Sequence, residues 1–247
     1  MKRLIATTAL LGTLATGAFA QELTPMTDEE RALFRAEVRS YLFENPEVIM
    51  QAVEILQNRE AEQQVQADVD LVTNNADAIF NDGYSWVGGN PEGDIVLVEF
   101  LDYRCGYCKR AHGEVAELLE TDGNIKLIVK ELPILGDASV LASRFAISVK
   151  QIAGDDSYKA VGDALMSFNG DITMPALARL GNTFGLDMEA ITARMNSDEV
   201  TAEISATRAL AGTLAISGTP TFVMQDELLR GYLPLDQMQA IVKDKRG

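Results

Sequence analysis

The sequence predicts an α/β fold with an inserted all-helical subdomain, preceded by an N-terminal α-helical extension. Three observations support this prediction. Residues 95–101 form a nearly continuous apolar run, which is typical of a buried central strand. Residues 137–216 have helical apolar spacing, and residues 21–82 contain no glycine. The order strand, helix, strand, helical block, hairpin and helix therefore predicts one α/β domain over residues 83–247.

The first element along the chain is a targeting segment over residues 1–20. Lys2 and Arg3 supply a positive start, and the apolar stretch 4–14 is too short to span a bilayer comfortably. The tripeptide 18–20 (Ala-Phe-Ala) fits the small-residue pattern of a signal-peptide cleavage site. We therefore expect a cleaved signal peptide and export to the periplasm, where disulfides persist.

Residues 21–82 form the helical extension. Thr27 or Asp28 can cap a first helix, and Asn45-Pro46 begins a second one, each with an apolar stripe. Two small amphipathic helices bury too little surface to be stable alone. We therefore predict that residues 21–80 join copies of the chain into a homo-oligomer, a dimer or trimer. The alternative is that these helices pack on their own domain.

A further apolar stripe runs from Val65 to Ile79 with the four-three spacing of a coiled coil, over only a few heptads. The turn-rich stretch 83–94 then marks the domain boundary, with a short first strand around Trp86. Besides the central strand, the later elements are strands at 125–130, 221–224 and 228–232, the last two forming a hairpin, and a final helix at 235–242.

Charge and composition exclude several function classes. The formal net charge of -16 argues against binding to nucleic acid or to anionic lipid. The chain has two cysteines and one histidine, which are too few for a four-ligand Cys/His zinc site or an iron–sulfur cluster. The two cysteines must therefore act as a pair.

Cys105 and Cys108 follow the buried strand and open a helix. A helix N-terminus stabilises a thiolate, which is the nucleophile in disulfide exchange. The pair can close a small ring, with the first sulfur exposed and attacking and the second resolving the mixed disulfide. Covalent haem attachment would need a histidine where Lys109 stands, and a zinc site would have only His112 besides carboxylates. A purely structural disulfide is the alternative. We expect no metal, and no cofactor other than this redox-active disulfide.

Four segments together resemble the DsbA-type thioredoxin-fold oxidoreductases, and the closest likeness is to the exported ScsC-like and Com1-like branch. They are VEFLDY at 98–103, CGYCK at 105–109, KELPILG at 130–136 and SGTPTF at 217–222. The resemblance covers roughly residues 84–247, and the N-terminal helices also look like the extension of that branch. It implies a thioredoxin fold with a helical insertion and disulfide exchange with exported proteins.

The resemblance places Glu99 beneath Cys108, where it would help to move the proton of that thiol. A carboxyl inside an apolar strand is costly unless it is paired or works, and the alternative is an edge-facing surface side chain. Lys130, on the neighbouring strand, would either pair with Glu99 or point to solvent. His112, one turn beyond Cys108, is expected to be a packing or surface residue rather than a general base.

Four further residues complete the predicted site. The resemblance implies that Thr219-Pro220 is a cis peptide bond next to the cysteines and that the Thr219 backbone pairs with an extended substrate strand. Gly106 and Tyr107 lie between the cysteines and would tune the stability of the thiolate. They stand where strongly oxidising members have Pro-His, so no imidazole assists the thiolate here.

Together these features predict an exported thiol–disulfide oxidoreductase or disulfide isomerase. Its partners would be cysteine-containing exported proteins and a membrane redox partner. An oligomer would favour isomerisation, and a monomer would favour simple oxidation or reduction. Two other classes stay open: a non-enzymatic periplasmic chaperone or copper-binding protein that uses the same thiols, and a surface protein in which the domain is only structural.

Overall fold

A computed structural model describes residues 26–247, so the predicted signal peptide at 1–20 lies outside the described residues. The chain divides into two compact units, one ending at Asn58 and the other spanning Arg59–Gly247. Within the described range, no helix is both long and apolar enough to cross a membrane.

The first unit contains α1 (Asp28–Glu44) and the beginning of α2 (Glu47–Asn74). Thr27 caps α1, as predicted. Its hydroxyl accepts a hydrogen bond from the Glu30 N–H at 3.3 Å, and the Glu30 carboxylate accepts one from the Thr27 N–H at 2.9 Å. This reciprocal capping box fixes where the helix begins. α1 contains no buried residue, so its apolar stripe is open to solvent.

The second unit is an α/β domain on a five-stranded sheet. Its strands are β1 (Trp86–Gly89), β2 (Ile95–Leu101), β3 (Ile125–Glu131), β4 (Thr221–Met224) and β5 (Glu227–Arg230). Its further helices are α3 (Ala76–Phe80), α4 (Gly106–Asp122), α5 (Asp137–Ala153), α6 (Asp155–Met166), α7 (Met174–Thr183), α8 (Met188–Met195), α9 (Asp198–Thr213) and α10 (Leu235–Arg246).

The sheet order is β1-β3-β2-β4-β5, with β2 central, parallel to β3 and antiparallel to β4. The structure confirms the predicted central strand, the strand at Trp86 and the β4–β5 hairpin. Helices α5 to α9 are inserted between β3 and β4, as expected for residues 137–216. The last helix continues to Arg246, beyond the predicted end at 242.

The side chains of β2 alternate between two apolar cores, because successive strand residues point to opposite faces. Leu97 and Leu101 enter a larger core together with side chains of α4 and of the helical insertion. Val98 and Phe100 enter a smaller core on the opposite face. Whether a β2 residue has an odd or an even number therefore determines which of the two cores its side chain contacts.

The smaller core corrects the predicted domain boundary. Val72 of α2 and Ile79 of α3 are buried in it. Asp68 of α2 also pairs with Arg230 of β5 at 2.5 Å. The later part of the predicted coiled-coil stripe is therefore a face that packs on the sheet. The compact unit begins at Arg59, well before the turn-rich stretch that was predicted to start it.

Candidate active site

Cys105 and Cys108 lie where β2 leads into α4. Cys105 is the N-cap of α4, and its sulfur accepts a hydrogen bond from the Cys108 N–H at 3.4 Å. The connecting loop is held by Asp102, whose carboxylate accepts hydrogen bonds from the N–H groups of Ile134 and Leu135 at 2.9 and 3.0 Å. The Cys105 sulfur therefore faces the positive end of a helix, which favours negative charge there.

The loop before β4 lies against Cys105. Its Thr219-Pro220 peptide bond is cis, as predicted. The Cys105 thiol donates a hydrogen bond to the Thr219 carbonyl oxygen at 3.0 Å. The fold thus brings the cysteine pair and this loop together, although 114 residues separate Cys105 from Thr219.

The two sulfurs have different surroundings. Both are buried, which corrects the predicted exposure of the first sulfur, but Cys105 keeps 7% of its surface exposed whereas Cys108 is 0% exposed. Burial raises the pKa of the Cys108 thiol well above its ordinary value, and negative charge on Cys105 and Glu99 acts in the same direction. A neutral thiol is a poor nucleophile, and the thiolate of a thiol with a high pKa is a poor leaving group. Cys108 therefore needs a nearby proton acceptor and donor.

Glu99 is the buried acid whose charge acts on the Cys108 thiol. It is 2% exposed, so the alternative of an edge-facing surface glutamate is wrong. Its Oε1 atom is buried and has no hydrogen-bond partner within residues 26–247. Burial, reinforced by the charge of Glu131, raises the pKa of Glu99 to about 8. At neutral pH this carboxyl holds its proton and can still release it, as proton transfer near pH 7 requires.

Lys130 does neither of the two things that were predicted for it. It is fully buried, and its Nζ donates to the Asp82 carboxylate at 2.5 Å and to the Ser85 hydroxyl at 3.3 Å. The register of the strands explains why. Lys130 lies opposite Phe100, whose side chain enters the smaller core. Glu99 lies opposite Val129 and points to the other face of the sheet.

Glu131, at the end of β3, is a second buried acid that was not predicted as a site residue. Its carboxylate accepts hydrogen bonds at 2.7 Å from the hydroxyls of Tyr103, Tyr158 and Ser143. Burial raises the pKa of Glu131 to about 7, against the lowering effect of these hydroxyls. The signal in the sequence is its position two residues after Val129, which places it on the face of the larger core.

The dipeptide between the cysteines faces outward. Gly106 begins α4, and the Tyr107 side chain is 62% exposed. The ring centroid of Tyr107 lies 6.0 Å from that of Tyr232, and the Arg110 guanidinium lies 4.5 Å from the Tyr232 centroid. An exposed aromatic and cationic surface therefore adjoins Cys105.

His112 lies away from the sulfurs, on the α4 face that meets α6. Its Nε2 atom is 3.0 Å from the Asp163 carboxylate, and burial lowers its pKa. Together with Glu99 it lines a cavity of about 60 Å³. Over residues 26–247, no three His, Cys, Asp or Glu side chains are grouped as a metal site would need.

Comparison with known proteins shows the family to which the chain belongs. Residues 96–243, which contain both cysteines and the cis-proline loop, match the DSBA-like thioredoxin domain family. The chain belongs to this family. Residues 30–63 match a second family, the copper resistance protein ScsC N-terminal domain. This DSBA-like protein therefore has the predicted thioredoxin fold with a helical insertion and an N-terminal helical extension.

Solved structures give the same assignment. A thioredoxin-like oxidoreductase from Silicibacter pomeroyi is 41% identical, with a TM-score of 0.65 over 69% of this chain and 96% of that one. The thiol-disulfide exchange protein alpha-DsbA2 from Wolbachia pipientis is 27% identical, with a TM-score of 0.68 over 73% and 96%. A Proteus mirabilis ScsC variant with a linker deletion is 26% identical, with a TM-score of 0.65 over 91% and 98%.

Curated relatives of the DSBA-like protein are longer. Na(+)/H(+) antiporters NhaA from two Salinispora species, S. tropica and S. arenicola, are 24% and 27% identical to it over 156 and 157 residues. The matched region covers 63% of this chain and 24% of each antiporter. The chain thus spans about a quarter of the length of these relatives.

Proposed function

We propose that this DSBA-like protein is a thiol–disulfide oxidoreductase that exchanges disulfides with cysteine-containing exported proteins through Cys105 and Cys108. The contrast between the two sulfurs carries the proposal. Cys105 is at the helix N-cap, its sulfur lies 3.0 Å from the Thr219 carbonyl oxygen, and it keeps 7% of its surface exposed, whereas Cys108 is fully buried. That arrangement suits one attacking and one resolving sulfur.

The first chemical step opens the disulfide of the oxidised protein. A substrate thiolate attacks Cys105 Sγ; a bond forms between these two sulfurs while the Cys105–Cys108 bond breaks. The electron pair of the broken bond goes to Cys108 Sγ, and Glu99 gives its carboxyl proton to that sulfur. A second substrate thiolate then attacks the substrate sulfur of the mixed disulfide, which releases Cys105 as a thiolate and leaves the substrate oxidised.

The same groups serve the reverse direction. When a substrate disulfide is reduced, the Cys105 thiolate attacks it, and the Glu99 carboxylate accepts the proton of the Cys108 thiol. Cys108 Sγ then attacks Cys105 Sγ and releases the second substrate sulfur. Throughout, the Thr219 backbone next to Cys105 would align an extended substrate segment. A membrane redox partner would restore the starting state of the cysteine pair.

The proposed location is the periplasm, and the proposed assembly is a homo-oligomer, a dimer or trimer, formed by the first unit. Large apolar side chains on α1 are exposed, among them Leu33, Phe34, Val38 and Tyr41. Helices this short gain stability mainly from packing of such a face. The match of residues 30–63 to the ScsC N-terminal domain supports a common role for these helices. Several active sites in one assembly would favour disulfide isomerisation.

Two assays on the purified protein test the proposed function: reduction of insulin by dithiothreitol, and reactivation of scrambled ribonuclease. The wild type should accelerate at least one of them, and Cys105→Ser should abolish the acceleration. Reactivation of scrambled ribonuclease without added oxidant would identify an isomerase, and insulin reduction alone a reductase. Wild-type rates no faster than those of Cys105→Ser in both assays would overturn the proposal.

A further inference from the structure

Glu131 stands on the same face of the sheet as Glu99. The two acids are on the adjacent parallel strands β2 and β3, where Leu101 lies opposite Glu131 and Glu99 lies opposite Val129. They are therefore diagonal neighbours, separated by one step of the same-face alternation. Both are almost completely buried, at 2% exposure for Glu99 and 6% for Glu131.

The hydrogen bonds of the two carboxyls differ. Glu131 accepts three hydroxyl hydrogen bonds of 2.7 Å, from Tyr103, Tyr158 and Ser143. A carboxylate with three donors is satisfied in its charged form. Glu99 has a buried oxygen with no partner in the described chain, which is costly for an ion. The hydrogen bonding thus places the negative charge of this pair on Glu131 and the proton on Glu99.

Glu99 and two of the residues that hold Glu131 line one cavity, although Glu131 itself does not line it. The rings of Tyr103 and Tyr158, whose hydroxyls hold Glu131, line the same cavity of about 60 Å³ as Glu99. The other titratable or charged groups at Glu99 and this cavity are Cys108 and His112, together with Lys159 and Asp163 of α6. Those at Glu131 are Asp102, Tyr84, Lys150 and Glu203. None of these donates to the unpartnered Glu99 oxygen.

We propose that Glu131 is a positioning residue for disulfide exchange: its carboxylate, held by Tyr103, Tyr158 and Ser143, keeps the proton on Glu99 until the Cys108 sulfur takes it. Glu131 itself touches neither sulfur nor substrate in this account. Glu131 loses its proton before Glu99 does, and its negative charge then opposes ionisation of Glu99, so that the acid form of Glu99 is present at neutral pH. The inference rests on the proposed function, because it concerns the group that protonates Cys108 in that reaction.

The direct test is a titration of both glutamates by NMR in the full-length protein labelled with ¹³C at the glutamate side-chain carboxyl carbon. Signals are assigned with Glu99→Gln and Glu131→Gln. Because interacting acids titrate as a pair, each signal in the wild type should show two steps. Two independent single-step curves would overturn the proposal without the need for any variant.

Variants then give the direction of the effect. Glu131→Gln keeps the shape and the acceptor oxygen but removes the charge, so the pKa of Glu99 should fall by about one unit. Glu131→Asp, which retains the charge, should restore most of the wild-type value. Tyr158→Phe removes one donor from the Glu131 carboxylate and should lower the pKa of Glu99 in the same direction. Glu114→Gln is the matched control, because it removes a carboxylate of α4 that does not line this cavity. It should leave the pKa of Glu99 unchanged.

A kinetic readout separates this role from a structural one. The rate at which a small thiol opens the Cys105–Cys108 disulfide should fall as pH rises and Glu99 loses its proton. In Glu131→Gln this fall should occur at a lower pH than in the wild type. An unchanged Glu99 titration in folded Glu131→Gln and Tyr158→Phe would overturn the inference and leave the proposed function intact. Absence of disulfide exchange in the wild type would instead overturn the proposed function, whatever the titration shows.

Discussion

At the scale of single residues, burial decides the chemistry of Glu99. Its carboxyl is removed from water and has an unpartnered oxygen, and burial together with the charge of Glu131 raises its pKa to about 8. An ordinary glutamate, with a pKa near 4.5, would be ionised at pH 7 and would have no proton to give to Cys108. The same burial that makes Glu99 useful must therefore cost stability.

We predict that Glu99→Gln stabilises the protein at pH 7.5 but not at acid pH. Between pH 4.5 and 8, the folded chain holds a proton that the unfolded chain has lost, so the unfolding free energy of the wild type falls as pH rises. Glutamine does not titrate. The variant should exceed the wild type by about 4 kcal/mol at pH 7.5, on the order of 1.4 kcal/mol for each pH unit above 4.5, and match it below pH 4.5.

Urea unfolding of both proteins at pH 4 and pH 7.5, with the cysteine pair oxidised, measures this difference. A difference in unfolding free energy that is the same at both pH values would show that Glu99 is not a buried acid with a raised pKa.

The Glu99→Gln variant should also open its disulfide about 10²-fold more slowly with a small thiol at pH 7, because a positioned general acid contributes on this order.

Most residues that the structure brings together at the cysteine pair could be predicted from the sequence, but the buried acid Glu131 was not predicted. Cys105, Cys108, Glu99 and the Thr219-Pro220 loop could be predicted because a spacing motif, an apolar run and a family resemblance identify them. Glu131 could not, because its role depends on three hydroxyls contributed by other elements. No sequence pattern encodes such a convergence of distant side chains.

At the scale of elements, β3 carries different chemistry on its two faces. The Glu131 side chain points into the larger core. The Lys130 side chain points to the opposite face of the sheet, where it pairs with Asp82. Adjacency in the sequence hides this separation, since neighbouring strand residues point in opposite directions. The partner of Lys130 was therefore unpredictable until the register between β2 and β3 was known.

We predict that Lys130→Met lowers the unfolding free energy by about 3 kcal/mol, because it leaves the carboxylate of Asp82 largely buried and without its cation. Asp82→Asn should be similarly costly. The double variant should lose less than the sum of the two, since removing both partners leaves no unpaired buried charge. Urea unfolding of the four proteins gives this double-mutant cycle, and strictly additive losses would contradict a coupled buried pair.

The helices before the sheet show how far apolar spacing alone can lead. The stripe of α2 and α3 was correctly read as apolar and helical, but spacing cannot say what covers it. Val72 and Ile79 pack in the smaller core of their own unit. Between residues 26 and 57, most apolar side chains are exposed. The segment that remains available for assembly is therefore shorter than the predicted 21–80.

At the scale of the whole molecule, we predict that α1 holds the oligomer together. Phe34→Glu and Val38→Glu place charges in its exposed apolar stripe and should reduce the molar mass measured by light scattering to that of one chain. Ala36→Glu adds the same charge to the opposite side of α1 and should leave the mass unchanged. A wild type that is already monomeric would overturn the proposed assembly.

The central claim is that Cys105 attacks and Cys108 resolves, and trapping of the mixed disulfide tests it most directly. Cys108→Ser should form a covalent adduct with a scrambled, disulfide-containing protein substrate, because the Cys105 thiolate attacks a substrate disulfide and displaces one substrate thiolate; the adduct should be stable to gel electrophoresis and released by dithiothreitol. Cys105→Ser should form far less adduct, because its remaining thiol is fully buried. Equal trapping by the two variants, or trapping only by Cys105→Ser, would contradict the account.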